Sequence, residues 1–147
     1  MFKKFSFCLL ALIHLHAYAA DTGCATVGAS IESALFAIIS KDLNIDTSTI
    51  QRDKTKVEII DSAIVSKKYA DSLAKVDRKD AVANQKVYVS EGEYFSSYYQ
   101  NNARTLTAKY TYINREGKKD VFIASGLINK DECSIRFNGY LTLSREF

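Results

Sequence analysis

Two short patterns in the sequence have residue types and spacings that could support catalysis. Ser72 and Lys75 have the Ser-x-x-Lys spacing with which a lysine can activate a serine nucleophile on a helix. Glu91 and Glu93 flank Gly92, so in a strand both carboxylates would share one face at a glycosidase-like separation. Ordinary composition accounts for both patterns. The Ser-x-x-Lys pattern lacks the Ser-Asp-Asn and Lys-Thr-Gly elements that accompany it in penicillin-recognising enzymes. The pair of glutamates is better explained as part of a solvated turn between two strands, which Gly92 favours. We therefore predict no catalytic residues.

The first 19 residues have the features of a bacterial secretory signal peptide. Lys3 and Lys4 precede an apolar run at residues 5–17, and Ala17 and Ala19 supply the small residues that signal peptidase reads. The run is shorter than the roughly 20 residues that a membrane-spanning helix needs. We expect cleavage after Ala19, which leaves one domain of residues 20–147 in the periplasm or outside the cell, without an integral membrane segment.

Removal of this leader changes the chemistry that the chain can perform. Both histidines, His14 and His16, leave with it, as do Lys3 and Lys4. Without histidine, Ser-His-Asp catalysis and zinc sites with imidazole ligands are excluded. The six glycines are isolated and form no phosphate-binding loop. We therefore expect neither a metal nor a cofactor. The mature chain keeps 18 basic and 17 acidic residues, a net charge of +1 instead of +3. That balance gives no electrostatic reason to expect nucleic acid as a partner.

The mature chain contains two cysteines, Cys24 and Cys133. In an oxidising compartment they are expected to form one disulfide that ties the start of the fold to its penultimate segment. A redox-active pair would usually lie in a Cys-x-x-Cys loop, which is missing here, so the bond is predicted to be structural. In the chain-entropy model, closing a loop of roughly 100 residues stabilises by at most about 4.7 kcal/mol.

Hydrophobic periodicity predicts a helix first and strands later. Apolar residues at three- and four-residue spacing, among them Val27, Ile31, Leu35 and Ile38, predict a helix over residues 26–41 that stops near Asn44. The run at residues 57–65 is compatible with a strand buried on both faces or with a helix turn, and its β-branched residues favour the strand. A short helix is then expected to begin at Ser66, with Val65, Tyr69, Leu73 and Val76 along one side, and to be followed by a charged loop at residues 77–84.

From residue 86 onward the pattern has period two. It predicts strands at residues 86–90, 94–99, 105–113 and 121–128, with turns at residues 114–118 and 129–131. Tyr110 and Tyr112 share a face with Leu106 and are predicted to be buried. A final strand is predicted to run unbroken through Gly139 as a bulge, with Ile135, Phe137, Leu141 and Leu143 on one face. The predicted fold is α+β: an amphipathic helix packed on a twisted antiparallel sheet, cystatin-like or NTF2-like.

A dense run of tyrosine and phenylalanine provides the candidate binding surface. In a strand, the face of Tyr94 and Tyr98 alternates with that of Phe95 and Tyr99, so one pair must be exposed or at an edge. Tyrosine and arginine are enriched at protein interfaces and among their strongest anchors. The predicted binding residues are Tyr94, Phe95, Tyr98, Tyr99 and Arg104.

The segment order carries a family resemblance. Cys24 is followed at once by an amphipathic helix and then by antiparallel strands, and Cys133 opens the last strand. This order resembles that of small exported, disulfide-linked enterobacterial proteins such as YebF and the colicin M immunity protein, across the whole mature chain. The present chain is longer between its cysteines and lacks tryptophan, and no binding motif carries over. The resemblance implies a non-enzymatic binder in the periplasm or outside the cell.

Together these features lead us to expect an exported, non-enzymatic module that binds another protein, such as an inhibitor, an immunity-type protein or an exported fitness or virulence factor. The alternative is a small-ligand carrier, or an enzyme that uses carboxylates, with an NTF2-like cavity under the helix. An enclosed cavity above about 300 Å³ lined by tyrosine would favour that alternative. A filled core with an exposed tyrosine patch would favour a protein partner.

Overall fold

A computed structural model describes residues 22–86 and 89–147 of the chain. In these residues the helices are α1 (Ser30–Leu43), α2 (Lys67–Ala83) and α3 (Glu91–Tyr99), and the strands are β1 (Lys56–Ile64), β2 (Arg104–Ile113), β3 (Lys119–Ile128) and β4 (Arg136–Ser144). The strands form one antiparallel sheet in the order β1-β2-β3-β4. The α+β class is therefore confirmed. The predicted signal peptide at residues 1–19, and Val87 and Tyr88 of the strand predicted at residues 86–90, lie outside the described residues.

Helix α1 packs on one face of the sheet, called here the inner face. Ile31, Leu35 and Ile39 of α1 are buried against a core that includes Tyr110 and Tyr112 of β2. The alternation predicted for β2 is confirmed, because its inner residues are buried and the residues between them are half-buried. The other buried members of this core on β2 and β3 are Leu106, Ala108, Phe122, Ala124 and Ile128.

The predicted disulfide is present. Cys24 and Cys133 are bonded, with their Cα atoms 5.3 Å apart. Beside the bond, the Ser30 hydroxyl at the start of α1 donates to the Cys133 carbonyl at 2.5 Å. These contacts tie the beginning of α1 to the segment that leads into β4. At the other end of α1, Asn44 has a φ of 53° and stops the helix in the left-handed conformation, as predicted.

A buried carboxylate, Glu32, joins α1 to the sheet and to the segment that precedes β1. It accepts hydrogen bonds from the Tyr112 hydroxyl at 3.0 Å and from the Gly28 backbone N–H at 2.8 Å. The Arg52 guanidinium donates to both of its oxygens, and that hydrogen bonding raises the pKa of Arg52. Burial, together with the Glu32 charge, raises the pKa of Tyr112, which keeps its proton for this bond. The carboxylate is thus satisfied by donors from three separate segments, as a buried charge requires.

Strand β1 forms where it was predicted, but the prediction that both its faces are buried is wrong. β1 is an edge strand that pairs with β2 alone, and a bulge at Ile60 shifts its register between Ile59 and Asp61. Most of its side chains are exposed. The β-branched composition that favoured a strand therefore did not indicate burial on both faces, because such residues are favoured on half-buried strands and their environment differs between edge and central strands.

Strand β4 runs unbroken past Gly139, as predicted, but the predicted single apolar face is wrong. Its pairing with β3 skips Asn138, so this residue is an extra member on the β4 side. One extra residue reverses which side chains face the core. Phe137 and Tyr140 therefore pack against the core, whereas Leu141 is 67% exposed. The pairing with β3 also skips Leu143, and this side chain is exposed too.

The segment between β1 and β2 differs most from the sequence prediction. Helix α2 begins at the predicted cap, where the Ser66 hydroxyl accepts from the Tyr69 N–H at 3.2 Å, but it continues through the predicted loop to Ala83. Its buried residues are the small ones Ala70, Ala74 and Ala81, which let α2 and α3 approach closely. Of the apolar residues predicted along one side, Val65 is buried and Leu73 is half-buried, whereas Tyr69 and Val76 are exposed. Val27, which was also predicted to be buried, lies before the start of α1 and is exposed.

One helical stretch in the described part of the chain, Gly23–Leu43, is long and apolar enough by length and composition to cross a membrane. Within the fold this stretch is bonded to Cys133 and buries Leu35, Ile39 and the charged Glu32 against the sheet. Leu35 and Ile39 of this stretch therefore have partners inside the domain.

Truncation of Leu35 tests the packing of α1. Leu35→Ala should lower the free energy of unfolding by about 2–5 kcal/mol, because Leu35 is completely buried between α1 and the sheet. Leu141→Ala, at an exposed position of β4, should change it by less than about 0.5 kcal/mol. Urea titrations of both variants measure the difference. A loss below 0.5 kcal/mol for Leu35→Ala would mean that α1 does not cover the sheet.

Candidate functional site

The predicted aromatic residues lie on helix α3 and not on a strand. Residues 94–99 form a helix because Ser90 and Glu93 make a capping box: the Ser90 side chain accepts from the Glu93 N–H, and the Glu93 carboxylate accepts from the Ser90 N–H. On this helix Tyr94 and Tyr98 are four residues apart, with ring centroids separated by 5.9 Å. Phe95 and Tyr99 stack in the same way at 5.4 Å. The strand predicted for residues 94–99 is therefore wrong. Tyr94 and Tyr98 still share one face, however, and Phe95 and Tyr99 share another.

Tyr98 is part of the second core of the domain, where it is 4% exposed. Its hydroxyl donates to Asp77 Oδ2 at 2.5 Å, and Arg136 of β4 donates to both oxygens of Asp77 at 2.6 and 2.8 Å. The Arg136 hydrogen bonds, with a contribution from Tyr98, hold the pKa of Asp77 below its usual value despite partial burial. Burial and the Asp77 contact raise the pKa of Tyr98. The side chain of Tyr98 thus links α3, α2 and β4.

The other aromatic side chains of α3 are more accessible. Tyr94 and Phe95 are half-buried against the second core, and Tyr99 is 42% exposed. Of the predicted aromatic binding residues, Tyr99 therefore offers the most surface to a partner, with the ring of Phe95 stacked on it.

Arg104 lies on the inner face at the start of β2, where it contacts β1. Its Nε donates to the Ser62 hydroxyl at 2.9 Å and a terminal nitrogen donates to the Ser62 carbonyl at 2.8 Å. In the strand register Arg104 pairs with Ile64. The predicted arginine anchor is thus next to the most exposed isoleucine of the sheet.

Three isoleucines of β1 are exposed together at this edge of the sheet. Ile59, Ile60 and Ile64 are 40%, 51% and 74% exposed. The register places Ile59 opposite Ala108 and Ile64 opposite Arg104, so both lie on the inner face. We call the group of Ile59, Ile60, Ile64 and Arg104 the β1 edge surface. Its three isoleucines are the largest set of exposed large aliphatic side chains on any one strand of the described chain.

The opposite side of β1 is charged. Glu58 pairs with Lys109 of β2, whose Nζ lies 2.8 Å from the carboxylate. Lys56 and Asp61 share this side, because they pair with Thr111 and Thr107 on the outer face of β2. β1 is therefore an amphipathic edge strand, apolar on the inner face and charged on the outer face.

The described cavities are small and open to solvent. Beside α1, a void of about 110 Å³ is lined by residues that include Ile31, Ala34 and Phe137. A cleft of about 320 Å³ lies between α3 and the connection from β3 to β4, and a groove of about 300 Å³ crosses the outer face beside Leu141. The space beneath α1 is filled by the core side chains, so the cavity expected for the ligand-carrier alternative is not seen there in the described residues.

The two patterns that could have supported catalysis have structural partners. On α2, the Ser72 hydroxyl donates to the Lys68 carbonyl at 2.9 Å and Lys75 pairs with Asp71 at 2.7 Å, so neither group activates the other. Glu93 caps α3, and that hydrogen bonding lowers its pKa. The solvated turn predicted at residues 90–93 is thus the first turn of a helix. Among the described residues no group of three or more His, Cys, Asp or Glu could hold a metal ion.

Sequence reasoning missed the exposed isoleucines and two charged networks. The Ser-x-x-Glu spacing at residues 90–93 is a helix-start signal that could have revealed α3. Glu32 interrupts the apolar helix pattern, which indicates a buried charge, but its partner Arg52 cannot be read from spacing. The exposure of Ile59, Ile60 and Ile64 depends on β1 being an edge strand, and strand order is not encoded in periodicity.

Replacement of Asp77 tests the network that holds α3. Folding lowers the pKa of the Asp77 carboxyl. The stabilisation that its charge provides should therefore be present at pH values above the pKa of the unfolded chain, near 3.9, and should be lost as the pH falls through the pKa of the folded protein. Asp77→Asn should lower the free energy of unfolding at pH 7 by about 1.5–3 kcal/mol, the range for hydrogen bonds to a charged group.

Urea titrations at pH 7 and pH 3 would measure both effects. Asp71→Asn is the matched control, since its exposed pair with Lys75 should contribute less than about 0.5 kcal/mol. The difference between Asp77→Asn and the wild type should shrink at pH 3. An equal difference at both pH values would show that the charge of Asp77 does not stabilise the fold.

No protein-family model, curated protein sequence or solved structure matches this chain. The resemblance to small exported, disulfide-linked enterobacterial proteins, and the cystatin-like or NTF2-like assignment, therefore stay predictions.

Proposed function

We propose that this protein is an exported, non-enzymatic module that binds another protein through the β1 edge surface. The observation that carries the proposal is the exposure of Ile59, Ile60 and Ile64 on one edge strand. Transfer of a fully exposed isoleucine side chain out of water is worth roughly 1.5–3 kcal/mol. A partner that covers this strand would gain part of that free energy at each of the three positions.

An edge strand also supports a particular mode of binding. Along the side of β1 that faces away from β2, backbone N–H and C=O groups can pair with an extended segment of a partner, which adds a fifth strand to the sheet. The bulge at Ile60 and the charges of Lys56 and Asp61 disfavour indiscriminate pairing with any exposed strand. They favour a partner strand with apolar side chains toward the inner face and polar side chains beside these charges.

The core and the disulfide give further support. Large side chains such as Leu35, Tyr112 and Phe122 fill the space beneath α1, which favours a protein partner over a carried small ligand. The bond between Cys24 and Cys133 is consistent with export to an oxidising compartment. We therefore place the protein in the periplasm or outside the cell, with a partner that is exposed there.

The aromatic surface predicted on α3 is the second candidate for the same function. The stacked pair of Phe95 and Tyr99 favours it, since Tyr99 is exposed. Tyr98 does not contribute to such a surface, because it is buried and bonded to Asp77. The two candidates can be distinguished by substitution: a β1 substitution should weaken binding if the β1 edge surface is the site, and an α3 substitution should weaken it if the aromatic surface is the site.

A comparative pull-down tests the proposal. The mature chain, residues 20–147, would be used as bait in periplasmic extract, in parallel with Ile64→Ser on β1, Val76→Ser on α2 and Tyr99→Ala on α3. Val76 is the matched control, because it is an exposed β-branched residue outside the β1 edge surface. A protein captured by the wild type should bind Ile64→Ser at least about tenfold more weakly, since anchor residues contribute above 1.4 kcal/mol.

The control should retain binding, and all variants should keep the wild-type melting temperature within a few degrees. Loss of binding in Tyr99→Ala with full binding by Ile64→Ser would move the site to α3 and contradict the β1 assignment. Equal capture by all four proteins, or a hydrolase activity lost on changing Glu91 or Glu93, would contradict the proposed function.

A further inference from the structure

The cleft of about 320 Å³ beside α3 has a lining that differs from the rest of the surface, and the proposed function does not use it. It lies between the C-terminal end of α3 and the connection from β3 to β4. We call it the α3 cleft. Its lining residues are Ser96, Ser97, Gln100, Asn101, Asn129, Glu132 and Ile135.

The electrostatics of the α3 cleft favour a positive charge. The last backbone carbonyls of a helix carry a partial negative charge, and the last turn of α3 holds no basic side chain to offset it. Glu132 adds a full carboxylate charge, and the lining contains no lysine or arginine. Lys130 and Asp131 precede Glu132 in the same connection, and their opposite charges cancel, so the net charge of this connection stays negative.

The carboxylate of Glu132 is held in place by its own connection. Asn129 Oδ1 accepts from the backbone N–H groups of Asp131 and Glu132, both at 2.8 Å. The Ser134 hydroxyl donates to Glu132 Oε1 at 2.8 Å. The Lys130 N–H donates to the Asn101 carbonyl at 3.1 Å, which fixes the connection against the end of α3. Oε2 of Glu132 accepts no hydrogen bond within the described residues and is available to a ligand.

We propose that the α3 cleft binds a cationic group, a guanidinium or an alkylammonium such as the end of an arginine or lysine side chain. Such a group needs several acceptors, since a guanidinium has five N–H donors. Among the lining residues, Glu132 has the free oxygen Oε2, and Gln100 and Asn101 each have a side-chain amide oxygen that can accept a hydrogen bond. A volume of about 320 Å³ lies at the small end of the range for ligand sites and suits a single extended side chain.

The test is an NMR titration of the mature chain that follows backbone amide shifts. The probes are the peptide acetyl-Gly-Arg-Gly-amide, the same peptide with uncharged citrulline in place of arginine, and the small cation agmatine. The arginine peptide should give saturable shifts confined to residues 96–101 and 129–135, and the citrulline peptide should not. If the arginine peptide binds at least as tightly as agmatine, the natural ligand is a side chain of a polypeptide. If agmatine binds more tightly than the peptide, the natural ligand is a free cation of the same chemistry.

Two variants identify the carboxylate responsible. Glu132→Gln keeps the volume and the acceptor for Ser134 but removes the charge, so it should bind the arginine peptide about fivefold more weakly, the upper end for an exposed ion pair. Glu116→Gln, on the turn between β2 and β3, makes the same change in net charge elsewhere and should bind like the wild type. Equal binding by Glu132→Gln and the wild type, shifts spread over the whole surface, or saturable binding of the citrulline peptide would overturn the proposal. None of these results depends on whether the β1 edge surface binds a protein.

Discussion

The structure depends on how much of a four-stranded sheet one helix can cover. A helix with its side chains is about 10 Å wide, and neighbouring strands are about 4.8 Å apart, so a single helix covers roughly two strands. The contacts of α1 with the sheet are mainly with β3 and β4, near the point where the disulfide fixes its start. The inner face of β1 is therefore covered only in part: Val57 packs against the core, whereas Ile59 and Ile64 are exposed.

Contacts on the two sides of α1 hold it in this position. The bond between Cys24 and Cys133 ties its beginning to the segment before β4. Glu32 ties its first turn to Tyr112 of β2 and to Arg52, whose guanidinium also lies 4.4 Å from the ring centre of Phe36. A charge buried in this way is costly to leave unpaired, so these contacts favour one placement of the helix over others. A helix placed over β1 and β2 instead would expose the core residues of β3.

Sequence patterns predicted the elements that are buried on one face and missed those whose environment depends on their neighbours. The alternation of Tyr110 and Tyr112 with polar residues defines β2, and Ser66 marks the start of α2. The extra residue Asn138 could not be located, because a bulge changes the facing of Leu141 without changing the local composition. Of the predicted binding residues, Arg104 lies beside the exposed edge strand. Tyr98 instead stabilises the fold, because its hydroxyl donates to Asp77, which also accepts from Arg136.

The central claim is that β1 is completed by a strand from a partner, and hydrogen exchange of the backbone amides tests it most directly. Exchange would be measured for residues 56–64 of the mature chain alone and in complex with the protein that it captures. We expect the amides of β1 that point away from β2 to exchange rapidly in the free protein and to become protected in the complex, while those of α2 and α3 change little. Unchanged exchange in β1, with new protection confined to α3, would contradict it.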